Sequence, residues 1–206
     1  MTGKDVSSTR LLGTLGIAGA LAGLLLVQVH QYTDPIIQQY KEEQLQAAVL
    51  EVLPGAERFE TRWVVDGRLA EAPPEGTDDR AHERVYLGFG GDGVRVGVAM
   101  SAGTQGYQDR IELIFGYDPA GDRLLGMKVL QSKETPGLGD KIEKDADWIA
   151  QFDGVRPPVE GVKPGRGTGA ADQVDVITGA TISSRAVVRA INEALERLGP
   201  VLEGLP

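Results

Sequence analysis

Asp175–Ser184 reads DVITGATISS. Val176 and Ile177 are β-branched, as at the end of a strand. Beyond them Val187, Ala190, Ile191, Ala194, Leu195 and Leu198 recur at helical spacing and predict a helix over 183–198 with one apolar stripe. Strand and helix therefore meet across Thr178-Gly179-Ala180-Thr181, and the fold mixes sheet with helix. A helix N-terminus presents unpaired N–H groups and a partial positive charge. Gly179 lets backbone approach a ligand closely, and Thr178, Thr181, Ser183 and Ser184 add hydroxyls. The stretch reads either as a phosphate cradle or as a helix start supplied with ordinary Ser and Thr caps.

Upstream, Lys133–Glu143 reads KETPGLGDKIE and also lies between a strand-like and a helix-like segment. Pro136, Gly137 and Gly139 impose an unusual backbone path, and Asp140 is placed to cap the next helix. The string is neither a Walker A loop nor a G-x-G-x-x-G fingerprint. It reads as a tight turn or as a ligand-facing loop. The acids Glu134 and Asp140 read as caps and solvated charge. The adjoining DKIEKDADWIAQF has the spacing of an amphipathic helix, with Trp148 either in the core or against a ligand.

Further upstream are short strand candidates separated by turns. VVDGRL carries an Asp-Gly hairpin signal. VYLGFG and VRVGVAM flank Gly90–Gly93, and YQDRIELIFGYD and RLLGMKVLQS flank PAGD. Ile111, Leu113 and Phe115 alternate with Glu112, Ile114 and Gly116, so only part of that strand has a clean period of two. Glu71–Glu83 and PPVEGVKPGRGTGAAD read as loops. Short turns between successive strands imply an antiparallel sheet, and the class expected is α+β: one domain with flanking helices.

Leu11–Val29 is a run of 19 residues without a charge. About 20 apolar residues cross a bilayer as a helix. A cleaved signal peptide should end in small-x-small, and VQVHQYTDP does not, so a retained anchor is expected. Lys4 and Arg10 precede the run, beside Asp5, whereas His30–Gln39 has no Lys or Arg. The positive-inside rule then places the N-terminus in the cytoplasm and the rest outside. The expected layout is a cytoplasmic tail (1–10), a transmembrane helix (11–30), a connecting helix (31–55, ended by Pro54-Gly55) and a periplasmic domain (56–206). Gly19 and Gly23 are a small-xxx-small pair that either packs on another membrane helix or is ordinary for such a span.

The 206 residues carry a net charge of −9, which argues against nucleic acid as a partner. The chain has no cysteine, so disulfides, thiolate metal sites and thiol catalysis are excluded. His30 and His82 have no metal-ligand spacing and read as surface residues. No Ser-His-Asp set is visible, so no independent substrate chemistry and no catalytic residue is expected.

TGATISSRAVVRAINEAL together with GYQDRIELIFGYDPAGDRLLGMKVLQSKETPGLGDKIE resembles the membrane-anchored FMN-binding subunits of redox-driven ion pumps. The match is closer to the G subunit of the Rnf electron-transport complex than to the C subunit of the sodium-pumping NADH:quinone reductase, which is usually longer. The resemblance implies FMN joined by a phosphoester to the last threonine of the motif, here Thr181, with Thr178, Gly179, Ala180 and Ser183 around it. It further implies a flavin transferase that recognises the motif with its leading Asp175. Glu134, Thr135, Pro136, Gly137, Leu138, Gly139 and Lys141 are then candidates for a wall of the flavin site. Thr178 stands where Ser is common, and Lys133 where His is found in many relatives. The implied role is electron transfer beside other membrane subunits of an Rnf-type complex, in the cytoplasmic membrane of a bacterium. Two alternatives remain from sequence: a flavin subunit of another membrane redox chain, and a non-redox membrane-tethered scaffold.

Overall fold

The computed structural model describes residues 8–77 and 82–202. Most of the expected tail, including Lys4 and Asp5, and part of the loop 71–83 lie outside these. The chain divides into two compact units, 1–44 and 45–206.

One helix, α1 (Ser8–Glu51), replaces the expected pair of helices. Pro35 lies inside it and removes one backbone donor without ending it. From Leu11 to Val29 the apolar side chains are exposed all round, and the helix is long and apolar enough to cross a membrane, with mean hydropathy 2.0 in its best window. His30 is exposed on it, whereas His82, before the third strand, is half-buried rather than on the surface.

The second unit is built on a six-stranded sheet of order β2-β1-β3-β4-β5-β6, antiparallel throughout. Its strands are β1 (Arg58–Val65), β2 (Arg68–Ala70), β3 (Arg84–Phe89), β4 (Arg95–Gln105), β5 (Arg110–Asp118) and β6 (Arg123–Gln131). The Asp-Gly hairpin forms as the sequence predicts: Asp66 and Gly67 take φ of 50° and 73°, the positive values a two-residue type I′ turn requires.

Both faces of the sheet are buried, which explains the imperfect alternation in β5. Ile111, Leu113 and Phe115 face the larger core, while Ile114 faces a second cluster with Ala48 and Val49 from the end of α1 and Val52 and Leu53 just after it. Gly116 belongs to that second face because nothing larger fits. A Cβ there would lie 1.9 Å from the Val52 carbonyl oxygen, so backbone packs directly on backbone.

The expected amphipathic helix after the ETPGLG loop is two short ones, α2 (Lys141–Lys144) and α3 (Ala146–Ala150). Asp145 breaks it: its backbone is extended and its side chain accepts from the Trp148 N–H as the cap of α3. Asp140 does not cap α2 with its side chain, which instead binds Lys144 at 2.7 Å. The Gly/Pro-rich loop carries β7 (Glu160–Val162), which pairs in parallel with β8 (Gln173–Asp175), an addition to the all-antiparallel expectation. Then comes α4 (Thr181–Leu202), longer at both ends than predicted. Its stripe Val187, Ala190, Ile191, Ala194 and Leu198 is buried in the larger core.

Candidate functional site

Two turns of one kind meet beside α4. In Thr135-Pro136-Gly137-Leu138 the Leu138 N–H donates to the Thr135 carbonyl at 3.1 Å, and Gly137 has φ 78°. In Ile177-Thr178-Gly179-Ala180 the Ala180 N–H donates to the Ile177 carbonyl at 3.0 Å, and Gly179 has φ 86°. Both have the residue pattern of a type II turn, whose third position needs positive φ. They touch: a Cβ added to Gly179 would lie 3.4 Å from Leu138 Cδ2.

Core contacts fix α4 in place behind them. Asn192 exchanges two hydrogen bonds of 2.8 Å with the backbone of Val159, and Arg189 donates to the Gln105 carbonyl at 2.8 Å. Trp148 is buried in the larger core, edge-on to Phe152, and its indole N–H donates to the Asp175 carbonyl at 2.7 Å. It supports the strand that feeds the motif and does not line the cleft.

The four hydroxyls of the motif divide evenly. Ser184 Oγ accepts from the Ile177 N–H and donates to the Ala180 carbonyl, closing the junction internally. Ser183 Oγ donates to Glu134 Oε2 at 2.5 Å. Among the described residues, the hydroxyls of Thr178 and Thr181 meet no partner, and neither do the backbone N–H groups of Thr181, Ile182 and Ser183. This helix start is therefore not closed by its own side chains. It presents donors and positive partial charge outward, as an anion-binding helix end does.

Those groups face a cleft of about 360 Å³ lined by Tyr107, Glu134, Thr135, Leu138, Gly139, Gly179, Ala180, Thr181, Ile182 and Ser183. This size lies within the range of small-molecule sites. Eight of the sequence candidates come together here: Glu134, Thr135, Leu138, Gly139, Gly179, Ala180, Thr181 and Ser183. Thr178, Gly137, Lys141 and Asp175 are adjacent to it in sequence without lining it. Asp175 ends β8, held by Gln151 and Trp148 through its backbone. Glu134 is not the solvated charge expected: it is 4% exposed. Lys133 pairs with Asp109 at 3.0 Å. The Arg110 N–H and then Lys133 hold the Asp109 carboxyl below its usual range.

Tyr107 and Ile182 escaped the sequence reading. With Leu138 they leave three large apolar side chains 66, 56 and 49% exposed around one cleft. Ile182 carried a signal, since it is an apolar residue off the stripe of α4. A cleft with an anion-binding helix end at one side and an apolar rim suits a molecule that joins a phosphate to a flat apolar ring system.

Residues 106–196 match the model of the FMN-binding domain family, a span that contains both turns and the whole cleft. The chain is 34% identical over 184 residues to the G subunit of the ion-translocating oxidoreductase complex of Escherichia coli K12, covering 88% of this chain and 86% of that protein. With the G subunit of Yersinia pestis the identity is 32% over 203 residues, covering 94% of this chain and 92% of that one. The chain belongs to the G-subunit family of ion-translocating oxidoreductase complexes. Solved structures agree on the fold of this family member. NqrC of Shewanella oneidensis superposes with a TM-score of 0.67 at 20% identity, covering 80% of this chain and 99% of that one. The C subunit of the Na⁺-translocating NADH-quinone reductase of Parabacteroides distasonis gives 0.64 at 21%, covering 82% and 96%. In this G-subunit relative the FMN-binding match thus falls on β5, β6, both turns and most of α4, with α1 and the first four strands ahead of it.

Proposed function

We propose that this chain is the membrane-anchored, FMN-carrying electron-transfer subunit of an Rnf-type ion-translocating oxidoreductase complex, with FMN joined to Thr181 by a phosphoester. One observation carries this reading: the uncapped start of α4, with the unpartnered Thr181 hydroxyl, opens on a cleft with an apolar rim. The N–H groups of Thr181, Ile182 and Ser183 would receive the phosphate, while Tyr107, Leu138 and Ile182 would flank the ring. Bound there, the flavin supplies the electron-carrying chemistry, and the chain supplies binding, orientation and electrostatics. Gly179 keeps a side chain away from the tether, and Ser184 holds the turn so that Thr181 stays at the cleft.

The remaining assignments rest on the family and the sequence. A flavin transferase that reads Asp175 with the motif would make the attachment. Leu11–Val29 would cross the cytoplasmic membrane with its N-terminus in the cytoplasm and the flavin domain in the periplasm, beside the other membrane subunits. That span contains no charged residue and is a poor candidate for the ion path itself.

The test is intact mass and in-gel flavin fluorescence of the full chain, co-expressed with a flavin transferase, beside Thr181→Ala. A mass increase of FMN less water that survives denaturation and is absent from the variant is the expected result. An unmodified wild-type chain, with the transferase active on a control, sinks the covalent reading and favours a reversible binder or a scaffold.

A further inference from the structure

Among the described residues Glu134 is the only acidic or basic side chain that is buried, and the other buried polar residues are Ser183 and Ser184. A phosphoester at Thr181 has no use for it. Its Oε1 accepts from the backbone N–H of Gln108 at 2.9 Å and of Asp109 at 3.5 Å, and its Oε2 accepts from Ser183 Oγ at 2.5 Å. Two backbone donors and one hydroxyl thus converge on this carboxyl group. Among the described residues no Lys or Arg reaches it at ion-pair distance, and the adjacent Lys133 binds Asp109 instead. A buried charge without a counter-ion is costly to keep.

Space is reserved for this carboxylate. A Cβ on Gly106 would lie 2.5 Å from Oε1, and one on Gly139 would lie 2.8 Å from the Glu134 Cβ and 2.9 Å from Oε2. The side chain also ties together the segments that carry the apolar rim: the β4–β5 turn with Tyr107, its own loop with Leu138, and the first turn of α4 with Ile182. Glu134 lines the same cleft.

We propose that Glu134 holds a fixed negative charge in the lining of this cleft and thereby lowers the midpoint potential of the redox group bound there. This rests on the flavin reading above. An electron arriving near a fixed negative charge in a poorly solvated site is disfavoured by Coulomb repulsion, and charge beside a flavin is one of the levers a protein has on its potential. Ser183 moderates the effect, because its hydroxyl disperses the charge on Oε2.

Reductive titration of the flavin-loaded full chain tests this with two substitutions. Glu134→Gln keeps the shape: its oxygen still accepts from Gln108, and its amide faces Ser183 Oγ, which can accept. The midpoint potential is expected to rise. Ser183→Ala keeps the charge and removes the hydroxyl, and the potential is expected to fall. Opposite signs are not what a loosened site produces. An unchanged potential in Glu134→Gln, or shifts of the same sign in both variants, would overturn the proposal. If Glu134→Gln carries no flavin, Ser183→Ala decides alone: a fall supports the proposal and the absence of a fall overturns it. A wild-type chain without flavin overturns this proposal together with the reading it rests on. A loaded wild type with unresponsive variants overturns this proposal only.

Discussion

Thr135–Leu138 and Ile177–Ala180 are the same turn twice, each closed by one backbone bond, each with glycine at positive φ, and each leading into a helix. Their continuations differ. After the first, Gly139 is sealed against Glu134, and the four-residue α2 begins beside the Asp140–Lys144 pair. After the second, a 22-residue helix starts with its leading N–H groups unmet and a threonine hydroxyl free. Position two differs as well: Pro136 stiffens the first turn, while Thr178 leaves the second with a side chain in solvent. One junction is satisfied internally and acts as a wall. The other leaves its donors facing the cleft.

The sharpest way to break this contrast is Thr181→Ala. Under the proposed phosphoester, flavin that survives denaturation should be lost completely, with little change in the Tm of the flavin-free chain, because that hydroxyl bonds nothing within the chain; intact mass and a thermal melt read the two effects separately. Gly139→Ala should do the reverse. Its Cβ would press on Glu134 and Ser183, and overpacking of this kind costs about 1–3 kcal/mol, visible in urea unfolding. Gly137→Ala meets open space and should cost only the left-handed backbone term, about 1–2 kcal/mol. Lys144→Ala sharpens the comparison at its weak end. The hydrogen bond from Lys144 holds the Asp140 carboxyl below its usual range. A lowered folded-state pKa gives stability that is present above the unfolded value of roughly 4 and is lost as pH falls through the folded one. Removing Lys144 should therefore lower Tm at neutral pH by a small amount, as for an exposed ion pair, and the two Tm–pH curves should converge as pH falls through the acid limb. Thr178→Ser should change least of all, in mass shift and in Tm alike, since the Thr178 hydroxyl has no partner to lose.

Local chemistry made much of this legible. Asp66-Gly67 announced a hairpin, PAGD separated β5 from β6, and the stripe from Val187 to Leu198 predicted α4. Long-range geometry did not show in the sequence. Glu134 looked solvated because its hydrogen-bond donors lie 25 to 49 residues away. β7 and β8 are three residues each and pair in parallel across a loop, which no periodicity reveals. Asp145 sits in an unbroken helical pattern and interrupts it by capping Trp148. Pro35 acted in the opposite sense, since a proline within the expected connecting helix leaves α1 unbroken. Of the cleft, the two glycine turns could be read in advance. Tyr107 and Ile182 could not be joined to them until the fold set them on one rim.

The seating of Val52 against Gly116 bears on how the gene should be cut. The segment from Leu45 through Leu53, the end of α1 and the residues just after it, supplies half of the second core, with Tyr86, Ala99 and Ile114 opposite it. A soluble fragment that starts at 56, where the sequence suggests the domain begins, would leave that sheet face bare and prone to aggregate. A fragment that starts ahead of Leu45 keeps the lining of its second face, and that is where the cut belongs.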